Sequence, residues 1–202
     1  MKMKLFFSPT SPFVRKVVMS AIELGLDGSI ERIQVNPWEP VAQLTAVNPL
    51  GKVPALVTSA GMMLYDSPVI CEYLDTLHGG SRLFPPTGEP RWEALRLQAL
   101  ADGILEAAVL WRMESLRTDG ERSSSWMTFQ RETVMRGLNE LEKESVQWDH
   151  SLNIGRIAAA CALGYLDFRF AHEEWRKSHS ALARWYEPML ARPSMQQTMP
   201  QG

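Results

Sequence analysis

Two short stretches of the chain carry the residue types best suited to chemistry. The segment Asn48-Pro49-Leu50-Gly51-Lys52-Val53-Pro54-Ala55-Leu56 places a cation and a proline-interrupted backbone at the entry to an apolar strand. The segment Asp66-Ser67-Pro68 then places a carboxylate and a hydroxyl where a helix opens. A proline after β-branched Val53 removes a ladder donor. Two backbone forms satisfy it. One is a trans proline on an edge strand. The other is a cis Val53–Pro54 bond that turns the Val53 N–H and C=O outward, free to take an extended peptide as an added strand. At the second segment Ser67 can cap the helix, with Asp66 favoured by the helix dipole. The same mouth attracts a ligand carboxylate, while Asp66 can hold an ammonium group. An α-amino acid end presents both charges close together. Such a surface suits a small, extended, zwitterionic peptide better than a metal, a nucleotide or a nucleic acid.

Ser11-Pro12 is the third candidate. It reads as an N-cap followed by proline at the first helical position. A hydroxyl there also lies where a thiolate would be stabilised. A thiol of pKa about 8.5 is only about 3% ionised at pH 7, and lowering that pKa by about two units requires roughly 2.7 kcal/mol. A hydroxyl hydrogen bond to an anion supplies roughly 1.5–3 kcal/mol and a helix terminus roughly 0.3–2. The two together suffice without a metal or a base. Ser8 and Thr10 are neighbouring hydroxyls that could do the same work.

The elements that must position these groups follow from the pattern. Lys4 to Phe7 reads as a strand, and Val14, Val17, Val18, Ala21 and Ile22 form the buried stripe of a helix that Gly25 ends. Ile30 to Val35 is a second strand, and Val41 to Leu44 is one helical turn. Residues 55–58 and 62–65 flank Ser59-Ala60-Gly61 as a hairpin. A helix opens at Ser67-Pro68 and stops at Gly79-Gly80. The glycine- and proline-rich stretch 79–90 is a linker. Beyond it the pattern is helical, near 91–117, 125–146, 154–170 and 179–191. Within this half Ile157 to Leu163 is apolar on every face, a central buried helix with Cys161 as a small core residue. Asp102 is a weaker candidate, a carboxylate in a helix whose neighbours Leu95, Leu97, Leu100 and Ile104 are apolar, and so are Trp111 and Met113, which could line a hydrophobic pocket.

Bulk properties narrow the classes. The chain has 202 residues, a net charge of −2 and hydrophobic residues at 45%. That balance gives no electrostatic footprint for nucleic acid and no pull toward anionic lipid. The longest nearly apolar run, 157–166, is too short to span a bilayer, and residues 1–7 are too short for a secretory signal. Cys71 and Cys161 are far apart, and no Cys/His metal spacing exists. The expected compartment is cytoplasmic, with no metal, no membrane and no nucleic acid as partner.

The three motifs, in this order, resemble the cytosolic glutathione transferases. The resemblance is greatest to the bacterial branch whose first helix begins T-S-P-F-V-R-K, here Thr10 to Lys16. N-P-L-G-K-V-P-A-L and D-S-P-V-I-x-E-Y-L match that family's peptide-binding half. Ala101-Asp102-Gly103-Ile104 and Ala159 to Leu166 extend the match over nearly the whole chain. The resemblance implies a thioredoxin-like α/β domain (1–78), a linker (79–90) and an all-helical domain (91–202). It implies a homodimer with glutathione as cosubstrate and a small hydrophobic electrophile as second substrate. Carried over, Ser11 faces the glutathione thiol, Val53 before a cis Pro54 pairs with the cysteinyl backbone, Asp66 and Ser67 hold the γ-glutamyl end, and Lys52 meets the glycyl carboxylate. Serine rather than cysteine at the active position favours thiolate activation and conjugation. A glutathione-dependent disulfide or peroxide reductase and a non-catalytic interaction protein are the alternatives. One departure is Asn153-Ile154-Gly155-Arg156, where Asn153 can cap the buried helix but Arg156 cannot reciprocate.

Overall fold

The computed structural model describes residues 2–77 and 82–200. The first half is a four-stranded mixed sheet with helices on it. β1 (Met3–Phe7) runs parallel to β2 (Ile30–Gln34) across the connecting helix α1 (Pro12–Glu23). β3 (Ala55–Val57) lies antiparallel to β1, with Leu56 opposite Leu5, and β4 (Met63–Leu64) lies antiparallel to β3. The order is β2-β1-β3-β4. The hairpin, the parallel pair and the stripe on α1 stand as the pattern predicts. α2 (Ala42–Val47) is longer than the single turn expected, and α3 (Ser67–Asp75) covers the sheet beside α1. The expected helix stop at Gly79-Gly80 lies outside the described residues.

The second half is helical: α4 (Gly88–Ser115), α5 (Ser124–Ser145), α6 (Ile154–Arg169), α7 (Ser180–Leu190) and α8 (Pro193–Gln197). No described residue beyond β4 is in a strand. α4 begins inside the stretch read as linker, because Pro90 falls in its first turn, where a missing N–H costs nothing. Ahead of it, buried Asp75 at the end of α3 accepts from the backbone N–H groups of Leu83 (2.9 Å) and Phe84 (3.1 Å). One carboxylate thus ties the connection back to the first half.

α6 is the axis of the helical half. Ile157 to Leu163 are fully buried, as an all-apolar helix must be. Asn153 caps it, accepting from the Arg156 N–H at 2.9 Å. The Arg156 side chain turns away and donates to Ser151 O at 2.7 Å and to Asp149. Gly155 is required for close approach, since a Cβ there would meet the Ala94 carbonyl and Leu97 Cβ at 2.7 Å. α8 has no strong apolar pattern and was not expected. Its Pro193 is a helix-start signal. Glu23 at the end of α1 holds its beginning, accepting from Arg192 (2.8 Å) and Ser194 (2.5 Å). Burial pushes the Glu23 carboxyl up, but Arg192 and Ser194 outweigh it and hold it below the usual range.

Candidate functional site

Ser11 occupies the N-cap of α1, and its Oγ accepts from the Val14 N–H at 3.3 Å. That bond uses an oxygen lone pair and leaves the hydroxyl hydrogen to donate outward. Ser11 is half-buried, with Pro12 at the first helical position. The Ser11 N–H closes a turn on the Ser8 carbonyl at 3.2 Å. A group placed at this mouth meets a hydroxyl donor and the positive end of α1.

The loop before β3 is braced from within. Asn48 is buried, donates from Nδ2 to the Lys52 carbonyl at 2.8 Å, and accepts from the Leu50 N–H at 3.1 Å. Gly51 takes φ +63, a left-handed turn that favours glycine. The Val53–Pro54 peptide is cis. The Val53 N–H and C=O pair with no described group of the protein. Lys52 is exposed and has no described carboxylate partner.

At α3 the expected cap shifts by one residue. Asp66, not Ser67, is the N-cap, and its carboxylate accepts from the Ser67 N–H. The Tyr65–Asp66 peptide is cis. Because Asp66 performs the capping, the Ser67 hydroxyl is not used for it. Ser67 is fully buried and its Oγ has no hydrogen-bond partner. Buried hydroxyls almost always have one. A donor and an acceptor therefore stand ready at the helix mouth, beside an exposed carboxylate and the Val69 N–H, the one amide of Ser67 to Val69 left over, since the Ser67 N–H is taken by Asp66 and Pro68 has none.

Behind this mouth lies a polar layer that joins the halves. Lys16 is fully buried and donates to both Asp102 oxygens, at 2.6 and 2.7 Å. Burial pushes the Asp102 carboxyl up, the Lys16 ammonium opposes this, and the Asp66 and Glu106 carboxylates add to it. Asp102 therefore lies within electrostatic reach of Asp66, a link that spacing alone did not reveal. Cys71 is buried beside Ser20, and Cys161 beside Met19. Burial pushes their thiols up to about 11 and about 12. Neither is a reactive thiolate.

Arg15 is a residue that sequence reasoning passed over. It is buried and donates to the Met195 carbonyl (3.1 Å) and to Thr198 (3.2 Å). Gly164 on α6 makes room for it, since a Cβ there would sit 2.2 Å from the guanidinium. Thr10, Ser11, Arg15 and Tyr165 border one small cavity of about 10 Å³. Trp111 is buried and stacks on Phe170 with centroids 4.1 Å apart, so it closes the helical core instead of lining an open pocket. Among the described residues no group of three His, Cys, Asp or Glu is placed to hold a metal ion, and no helix is long and apolar enough to cross a membrane.

A thioredoxin-like domain with a hydroxyl at its first helix mouth, an open Val53 backbone before a cis proline and an Asp-Ser helix mouth is followed by a helical domain, the two-part architecture of the glutathione S-transferases. The family model for the glutathione S-transferase N-terminal domain matches residues 10–77, and that for the C-terminal domain matches 124–187. The chain is 35% identical over 201 residues to the uncharacterized GST-like protein YibF of Escherichia coli (strain K12), covering 98% of each. This chain belongs to the glutathione S-transferase family. A crystal structure of a glutathione transferase family member from Pseudomonas fluorescens Pf-5, with bound glutathione, superposes with a TM-score of 0.95 at 44% identity and full coverage of both chains. Another from that organism, with bound S-(propanoic acid)-glutathione, gives a TM-score of 0.88 at 42% identity, covering 100% of this chain and 98% of that one.

Proposed function

We propose that the protein is a glutathione transferase that adds the glutathione thiolate to small electrophiles. The observation that carries this reading is the buried, unpartnered Ser67 hydroxyl at the mouth of α3. Leaving it so costs the free protein about 1–3 kcal/mol. A γ-glutamyl end supplies what it lacks: a carboxylate for the Ser67 hydroxyl and the Val69 N–H, and an ammonium for Asp66. Val53 then pairs with the cysteinyl backbone, and Lys52 meets the glycyl carboxylate. The thiol falls at Ser11, whose hydroxyl and helix terminus lower its pKa. The neighbour that holds S-(propanoic acid)-glutathione holds a thioether of the kind this reaction makes.

Mechanistically, the thiol proton leaves to water as the thiolate forms. Sulfur then attacks the electrophilic carbon, and the leaving group departs with the bonding pair; with a conjugated double bond the C=C π pair instead shifts toward the activating group and the α-carbon takes a proton from water. The chain's part is to lower the thiol pKa and to position sulfur against carbon. With both cysteines buried, the protein has no thiolate of its own for disulfide exchange. The exposed apolar residues Trp92, Val69, Met62 and Leu77 fit a two-fold dimer interface. A cytoplasmic detoxification role accords with this chemistry.

The test is titration calorimetry with glutathione, followed by an electrophile screen read by mass spectrometry. Micromolar to millimolar binding and a thioether product are expected. Ser67→Ala should weaken glutathione binding while leaving unfolding stability equal or higher. Glutathione disulfide as the sole product would establish the reductase alternative. Absence of glutathione binding would establish the interaction-protein alternative.

A further inference from the structure

Arginines of the helical half are mostly paired. Arg96 meets Glu144, Arg131 meets Glu173, and Arg176 meets Asp167. Arg112 and Arg169 differ. Both are half-buried, and neither has a carboxylate partner among the described residues. They stand in the last turns of α4 and α6. Their chain neighbours Trp111 and Phe170 stack at 4.1 Å and 21°, which locks those two helix ends together. The Arg169 guanidinium lies 3.8 Å over the Phe168 ring, which restricts its motion. One turn back on α6, Tyr165 borders the small cavity that Thr10 and Ser11 also border. Arg169 follows Tyr165 by four residues, on the same face of α6, and the Arg169 and Arg112 charges oppose the rise that burial gives the Tyr165 pKa.

A cation in the last turn of a helix interacts favourably with the helix dipole. That accounts for one arginine on each helix. It does not account for two arginines without a carboxylate partner among the described residues at the joined ends of two helices, one turn from the cavity that Ser11 borders, since like charges brought together without an anion repel. Planar guanidinium groups recognise carboxylates bidentately.

We propose that Arg112, Arg169 and the Tyr165 hydroxyl form the recognition site for a carboxylate on the electrophilic substrate. The preferred second substrates are then small electrophilic acids such as 2-halocarboxylates. This inference rests on the glutathione transferase reading above. With a halocarboxylate, the glutathione sulfur bonds to the carbon that carries the halogen, the carbon–halogen bond breaks, and halide leaves with its electron pair.

The experiment compares S-carboxymethylglutathione with S-(carbamoylmethyl)glutathione by calorimetry. The two conjugates match in size and differ in charge. The wild-type protein should bind the acid about tenfold more tightly or better, the scale of a charge-assisted pair. Arg112→Gln/Arg169→Gln should abolish that preference while the affinity for glutathione stays within about twofold. Arg112→Lys/Arg169→Lys should retain part of it. If the Gln double variant is unfolded by circular dichroism, each single variant should still lose about threefold of the preference. In turnover, kcat/KM for iodoacetate over iodoacetamide should exceed the uncatalysed ratio, with the arginine variants losing it chiefly in KM. Equal affinity of the wild type for the two conjugates overturns the inference and leaves the glutathione reading intact. So does a preference that survives in the Gln double variant. Failure to bind glutathione or either conjugate overturns both.

Discussion

The mouth of α3 and the ends of α4 and α6 are two proposed binding surfaces built in different ways. At α3, Asp66, Ser67 and the Val69 N–H lie within four consecutive residues, and one local turn brings a carboxylate, a hydroxyl and an N–H donor together. At the far wall Arg112, Tyr165 and Arg169 come from two helices held by the Trp111–Phe170 stack and by Gly155 against Ala94. The first surface is complete once a single helix has started. The second exists only after two long helices have packed. A peptide common to a whole family can be met by the first kind of surface. A substrate that differs from member to member is met by the second, where a change in one helix-end residue leaves the fold alone.

The comparison breaks most visibly at Asp66. Asp66→Ala should weaken glutathione binding by about 1.5–3 kcal/mol, the scale of a charged hydrogen bond, and should lower stability by about 1 kcal/mol through the lost cap. Asp66→Asn keeps a capping oxygen and removes the charge. It should show most of the affinity loss at near wild-type stability. Calorimetry and thermal melts in parallel read both. An unchanged dissociation constant in Asp66→Asn would remove the carboxylate from the peptide site.

Ser11 sharpens the comparison, because it belongs to the local surface and serves both substrates. Ser11→Ala should leave glutathione affinity nearly intact, since Val53, Asp66 and Ser67 hold the peptide elsewhere. It should raise the bound thiol pKa by one to two units, about 1.4–2.7 kcal/mol. Conjugation at about pH 6.5 should then fall about ten- to hundredfold and recover in part at high pH. The readout is thiolate absorbance of bound glutathione against pH, with rates alongside. If Ser8→Ala or Thr10→Ala shifts the titration and Ser11→Ala does not, the activating hydroxyl is one of those two.

The smallest effect tests whether the C-terminal segment depends on a tertiary contact with α1. Glu23 is held below its usual pKa by Arg192 and Ser194, against the push of burial. A depressed carboxyl contributes stability that is present above its unfolded pKa of about 4.3 and lost as pH falls through the folded value. Glu23→Gln should therefore lower unfolding stability at neutral pH by about 1 kcal/mol or less after solvent screening. As the pH falls through the folded value, the melting curves of the variant and the wild type should converge. A constant gap across the acid range would assign the loss to packing alone.

Local signals made much of the first half legible. Ser-Pro pairs marked α1 and α3, Gly25 marked the end of α1, and the short loop Ser59-Ala60-Gly61 between two apolar runs marked the hairpin, because each of these acts through residues adjacent in the chain. The same locality explains the one-residue error at α3, where Asp66 and Ser67 are both good caps and only the backbone decides between them. Asn153 was legible as a cap for the same reason. Arg15 was not, because its partners Met195 and Thr198 lie at the far end of the chain and the space it fills depends on Gly164. α8 escaped because it is short and is held by Glu23, not by an apolar stripe.

What the sequence by itself determined is the fold class, the family and the near neighbours that make the α3 mouth proposed for the peptide, since capping, proline geometry and hydrophobic period act over a few residues. What only the tertiary structure decided is which charges stay unpaired and what they face. Lys16 and Arg15 are adjacent on α1, yet one is neutralised by Asp102 and the other rests on backbone and hydroxyl oxygens. Arg112 and Arg169 resemble any surface arginine in the chain. Two packed helices leave them without a carboxylate beside Tyr165, because whether a charge finds a partner depends on distances through space that spacing along the chain does not encode.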